Sequence, residues 1–250
     1  MLSARTLALT GLILAAAGGA PAEEIREIQV LVDRMDRLYR SETSYAELEM
    51  EIRTPHWRRT LRMKMWTEGM RKTFVTILAP KKEAGTSTLR VGAEMWNYFP
   101  RINKVIKVPP SMMMGSWMGS DFTNDDLVKE SSLAVDYQPA FGTTGNDSMY
   151  EIVLIPREET PTVWGRIVLT IRKSDLIPVS YVYFDESGDP MREMTLSGPR
   201  DFGGRTLPAV LEMKPLKKEG HRTVIRYLDA QFDRGLPKDT FTRRNLRRRR

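Results

Sequence analysis

The sequence predicts a mainly β protein of the α+β kind, built on one large antiparallel sheet that curves widely or rolls into an open barrel. Three observations predict this. About a dozen β-rich runs follow one another with turn chemistry between them. Only one long amphipathic helix accompanies them, at the start, so alternating βαβ units are excluded. The middle of the chain breaks the strand pattern with an apolar, Gly/Ser-punctuated segment placed to cover a concave face.

In chain order, residues 1–22 read as an export signal. Arg5 gives a positive start, Leu7 to Ala17 an apolar stretch, and Ala20-Pro21-Ala22 a small-x-small cleavage pattern. The uncharged run from Thr6 to Ala20 is 15 residues long. That is short of the ~20 needed to span a bilayer, which favours a cleaved signal over a membrane anchor. Residues 23–40 then form an amphipathic helix. Ile25, Ile28, Leu31, Val32, Met35, Leu38 and Tyr39 recur at three- and four-residue spacing, with an acidic start and a basic end that suit the helix dipole.

Strict alternation begins at Tyr45. Ala46, Leu48, Met50 and Ile52 share one face, and Leu61, Met63 and Met65 repeat the pattern in the next run. Further strands are predicted over 71–78, 86–91, 95–99 and 103–108. After the break they resume over 149–155, 162–172, 178–185, 190–198, 205–214 and 221–232. Ser187-Gly188-Asp189-Pro190, Gly203-Gly204 and Glu219-Gly220 are turn signals between the later runs. In the break, Pro109-Pro110 ends a strand, residues 111–122 are rich in Met, Gly and Ser, and Thr123 to Asp126 forms a capping box, with Asp in place of Glu, that opens a short helix. The division is therefore a signal peptide (1–22), one domain (23–242) and a basic C-terminal tail (243–250).

Composition excludes several function classes. The net charge is +7, but six arginines lie in the last eight residues, and without them and Arg5 residues 23–242 carry no net charge. The basic balance describes the tail, and export argues against nucleic acid as its partner. The tail suits solvated disorder or an anionic lipid surface. With no cysteine, disulfides, thiolate metal sites and thiol nucleophiles are absent. No nucleophile elbow, phosphate-binding loop or dinucleotide fingerprint occurs, and His56 and His221 sit at a strand start and a turn, so no catalytic residues are assigned and no enzyme is expected. The cluster Asp121, Asn124, Asp125 and Asp126 lacks the central glycine and terminal glutamate of a calcium loop and reads as helix capping. Fifteen methionines, among them Met63, Met65, Met70, Met112, Met113, Met114 and Met118, admit three readings: soft Cu(I) ligands, ordinary core filling, or an adaptable apolar binding surface.

The run from Pro80 through Gly85-Thr86, Leu89, Gly92 and Met95-Trp96-Asn97-Tyr98-Phe99-Pro100 to Lys104 and Pro109 resembles the outer membrane lipoprotein-sorting protein family, a LolA-like group within the lipoprotein-carrier superfamily. Ser116-Trp117-Met118-Gly119-Ser120-Asp121-Phe122 with Thr123 to Leu127, and the closing Leu236-Pro237, Phe241 and Asn245-Leu246, extend the resemblance over the mature chain. It implies a periplasmic protein with an unclosed antiparallel β-barrel whose apolar concavity is plugged or lidded by helices. It also implies acyl lipid or lipoprotein as cargo and an inner-membrane transporter as partner.

A carrier of this kind has a physical rationale. A ~16-carbon chain carries roughly 13 kcal/mol of aversion to water, so crossing an aqueous compartment needs an enclosed apolar path. The residues expected to line or gate that path are Leu61, Met63, Met65, Trp96, Tyr98, Met113, Trp117, Met118 and Phe122. The same residue types would equally fill an ordinary core. The expectation is a monomeric carrier without cofactor or metal. An adaptor docking on a membrane transporter, with a filled interior, is the alternative, and a copper carrier a third.

Overall fold

The computed structural model describes residues 22–128 and 132–248. The proposed signal peptide falls outside them, apart from its last residue. The chain opens with α1 (Ala22–Arg37), then β1 (Thr43–Arg53), β2 (Arg58–Glu68), β3 (Lys72–Ala79), β4 (Ser87–Val91), β5 (Glu94–Phe99) and β6 (Lys104–Val108). The central segment holds α2 (Asn124–Val128) and α3 (Leu133–Asp136). Then come β7 (Tyr137–Phe141), β8 (Met149–Pro156), β9 (Arg166–Arg172), β10 (Pro178–Phe184), β11 (Pro190–Asp201), β12 (Thr206–Pro215), β13 (Arg222–Phe232) and α4 (Arg243–Leu246).

All thirteen strands form one antiparallel sheet in the order β6-β5-β4-β3-β2-β1-β13-β12-β11-β10-β9-β8-β7. Each half of the chain is a meander, and the first strand pairs with the last, Leu48 opposite Tyr227. The two edges are therefore β6 and β7, which are consecutive in sequence. The sheet curves but does not close, and residues 109–128 and 132–136 fall between the two edge strands in sequence. This is the unclosed, mainly β architecture that the sequence predicts.

Alternation decides what is enclosed. Ala46, Leu48, Met50 and Ile52 on β1, Leu61 and Met63 on β2, and Leu207, Ala209, Leu211 and Met213 on β12 pack in one core cluster with Ile28, Leu31, Val32 and Met35 of α1. Charged side chains occupy the other face of the same strands, where Glu47, for example, meets Lys64 at 3.3 Å. The stripe of α1 thus fills part of the trough, and burying each large side chain stabilises by ~1.5–3 kcal/mol.

Three sequence expectations need correction. A thirteenth strand, β7, lies in the segment read as a break; it contains Pro139, which has no N–H to give to a ladder and is tolerated because β7 is a sheet edge. The domain does not end at residue 242. Thr242 caps α4 by accepting a hydrogen bond from the Asn245 N–H. Leu246 is fully buried against Phe74 and Leu89, so the start of the basic tail is part of the fold. Finally, Trp96 and Tyr98 do not face the trough. Met95 joins the enclosed core, so its neighbours on β5 point the other way and pack in the second cluster, beside Phe241 and Leu246. Every residue but Asn97 in the Met95–Phe99 run is apolar or aromatic, so alternation alone did not choose its inward face.

Candidate functional site

A cavity of about 190 Å³ lies between the concave face and the elements that roof it. Its wall runs across four consecutive strands: Tyr227 on β13, Leu211 on β12, Met194 and Leu196 on β11, and Tyr181 and Tyr183 on β10. Leu48 and Met65 close the far side. Met35 of α1 roofs one end, followed by Tyr39 and Arg40, and the central segment roofs the other with Met114, Phe122, Leu127 and Leu133.

Aromatic rings form a band around this space. Tyr39 stacks on Tyr227 at 4.8 Å between centroids, and Trp164 lies 5.2 Å from Tyr183. Tyr39 donates to the carbonyl of Pro208 at 2.8 Å, and the hydroxyls of Tyr137 and Thr162 are 3.3 Å apart. Burial pushes the hydroxyls of Tyr181, Tyr183 and Tyr227 well above the usual phenol range, so they stay protonated at any physiological pH.

Charge enters at the roof. Arg192 on β11 points inward, in register with Tyr183, and its guanidinium lies 4.1 Å from the Tyr183 ring and 4.4 Å from that of Trp164. It donates to both carboxylate oxygens of Asp126 on α2, at 2.6 and 2.8 Å. Burial by itself would raise the Asp126 carboxyl, but Arg192 and hydrogen bonds from Thr123 outweigh it and hold the group below the usual carboxylate range. The capping box is realised here too: Asp126 N–H donates to the Thr123 hydroxyl at 3.0 Å, and Thr123 N–H to the Asp126 carboxylate at 2.7 Å. Arg40, bonded to Thr73 at 3.2 Å, is brought down to about 10, by burial first and by nearby Arg90 second.

Polar fastenings hold the roof on the barrel. The Asp36 carboxylate of α1 accepts from the Ser132 hydroxyl at 2.7 Å and from the N–H groups of Leu133 and Ala134 at 3.0 and 3.1 Å. Asp121 accepts from the hydroxyl of Thr223 on β13 at 2.7 Å and returns a backbone N–H at 2.9 Å. Trp117 donates to the Thr88 hydroxyl on β4 at 3.3 Å. Met118 takes a left-handed φ of 52°, a conformation uncommon outside glycine, and Arg59 of β2 holds its carbonyl.

Of the nine residues proposed from sequence, Met65 and Phe122 line the cavity. Leu61, Met63, Met113 and Trp117 are buried in the core around it, and Met118 packs partly buried against that core. Trp96 and Tyr98 lie in the other cluster. Sequence reasoning passed over the tyrosine band and Arg192. The i, i+2 spacing of Tyr181 and Tyr183 carried a usable signal, whereas an arginine on an inner face has no local signature. Among the described residues no group of three His, Asp or Glu side chains converges. Met63 is fully buried and Met112 is exposed, whereas Met35, Met65, Met114 and Met194 line the cavity.

The fold and its roofed apolar cavity define a class, the unclosed barrels of the LolA type. A family model described as "Uncharacterized protein" matches residues 69–248, most of the chain, and the protein belongs to that family. Among solved structures, a DUF1329 family protein from Desulfovibrio piger superposes with a TM-score of 0.79 at 22% identity, covering 89% of this chain and 99% of that one. A LolA superfamily protein from Nitrosomonas europaea gives 0.72 at 18% identity, over 87% and 98% of the two chains. An outer membrane lipoprotein-sorting protein domain from Vibrio parahaemolyticus gives 0.74 at 18% identity, over 91% and 100%. These likenesses establish a LolA-like fold. No curated protein matches the sequence.

Proposed function

We propose that the protein is a periplasmic, non-enzymatic carrier that shelters the acyl chain of a lipid or lipidated protein in this cavity on its way toward the outer membrane, and that it exchanges cargo with a membrane transporter. The observation that carries the reading is a mostly apolar space left between the sheet and a roof fastened by side chains rather than by continuous sheet. A filled interior would have no use for such a roof. The LolA-like fold and the lipoprotein-sorting domain among its structural relatives support the same reading.

In this closed form the space is small. A cavity of ~150 Å³ holds a benzene molecule, so 190 Å³ takes only part of a long chain. Loading therefore requires α1, or the roof made by Met114, Phe122, Leu127 and Leu133, to lift. The same small volume is what favours a second reading, a docking adaptor that never takes cargo. Native mass spectrometry of gently purified protein separates the two. Co-purifying lipid, lost in Met65→Arg, supports the carrier; protein of bare mass, with no lipid taken up from vesicles, favours the adaptor.

A further inference from the structure

Three of the tyrosines on the cavity wall have a property that apolar packing does not require. Tyr181, Tyr183 and Tyr227 are each more than nine-tenths buried. Among the described residues none of their hydroxyls has a hydrogen-bond partner, although Tyr39 and Tyr137 of the same band are both partnered. The three hydroxyl oxygens are not sealed away but open onto the cavity, where phenylalanine would line the same wall without offering a donor. The three donors belong to two different parts of the wall, β10 and β13, which β11 and β12 separate. They are therefore a feature of the cavity and not of one strand.

The charges around the same space balance. Arg40, and Arg192 through its pairing with Asp126, stand against Asp125 and Asp126. An ionised cargo group would meet both signs and gain little net attraction, while losing its hydration. A neutral acceptor has no such conflict.

We propose that Tyr181, Tyr183 and Tyr227 donate hydrogen bonds to neutral carbonyl acceptors on the cargo, so that the protein selects acyl esters over chains that lack the carbonyl. This rests on the carrier reading and narrows its cargo. Phenol donors meeting ester carbonyls inside an apolar wall would orient the chain, with the ester at the tyrosine band and the hydrocarbon against the apolar side chains between.

A matched pair of probes tests it: radiolabelled 1-palmitoylglycerol and 1-O-hexadecylglycerol, which share chain length and headgroup and differ by the carbonyl. Each is offered at trace level in phosphatidylcholine vesicles to the mature protein, and the protein-bound label is measured after the vesicles are pelleted. We expect the ester to be extracted about tenfold more strongly than the ether, the worth of roughly one net hydrogen bond. The Tyr181→Phe/Tyr183→Phe/Tyr227→Phe variant should bring the ester down to the ether's level and leave the ether unchanged. Equal extraction of both by the wild-type protein overturns the selectivity and leaves the carrier reading standing. Extraction of neither overturns the carrier reading and the selectivity together. The wild-type comparison needs no variant to fold.

Discussion

Arg192 and Asp126 form a two-pronged ion pair between the inner face of the sheet and the roof, 66 residues apart in sequence and almost wholly enclosed. Tyr183 and Trp164 flank the guanidinium. The pair fixes α2 over the cavity, and its energy lies less in attraction than in what breaking it would leave behind.

Asp126→Leu should accordingly destabilise the protein by about 3–5 kcal/mol, because it strands Arg192 without a counter-charge. The double variant with Arg192→Met should recover much of that loss. Urea unfolding of the two single variants and the double variant measures the coupling, and additive losses would contradict it.

Acid should act on the roof in two stages of opposite sign. Burial holds the Asp121 carboxyl above its ordinary 3.8. Protonating it as the pH falls toward that value therefore favours the folded state. Asp126 is held below 3.8. Its contribution is complete above that value and is lost only as the pH falls through the lower one. Amide exchange in residues 121–128, corrected for intrinsic rate, should stay slow from pH 7 to about pH 4 and quicken below it. Opening near pH 6 would contradict the assignment.

Asp36 joins α1 to α3 through three hydrogen bonds from residues 132–134. Asp36→Ala should cost about 2 kcal/mol, in the range of a lost charged helix cap. It should also remove exchange protection from residues 132–136 while leaving that of β1 and β2 intact. A uniform loss across the sheet would mean that α1 and the barrel unfold as one unit.

Leu246 tests the boundary of the domain. Leu246→Ala should cost about 2–4 kcal/mol, as large-to-small changes in a core do, although the residue sits among arginines. Trp96→Leu, in the same cluster, should leave lipid extraction unchanged, because its side chain lies on the face away from the cavity. Thermal unfolding and the vesicle assay check the two statements.

Much of this protein follows from local rules. The alternation of Leu48, Met50 and Ile52 and of Leu61 and Met63, the stripe of α1 and the turn glycines establish a long antiparallel meander with an apolar side. Thr123 and Asp126 announce the start of α2. Each of these signals lies within a few residues, where periodicity and capping operate. Only the tertiary structure decided the rest. Which side of Met95 and Trp96 faces inward depended on the C-terminal segment that covers the other face. Pro139 became admissible because β7 proved to be an edge. The meeting of Arg192 with Asp126, and of Tyr181 and Tyr183 with Tyr227, depends on the curvature of the sheet, which turns separate strands and the central segment toward one space. Curvature is a property of the assembled sheet, and a local pattern carries no information about it.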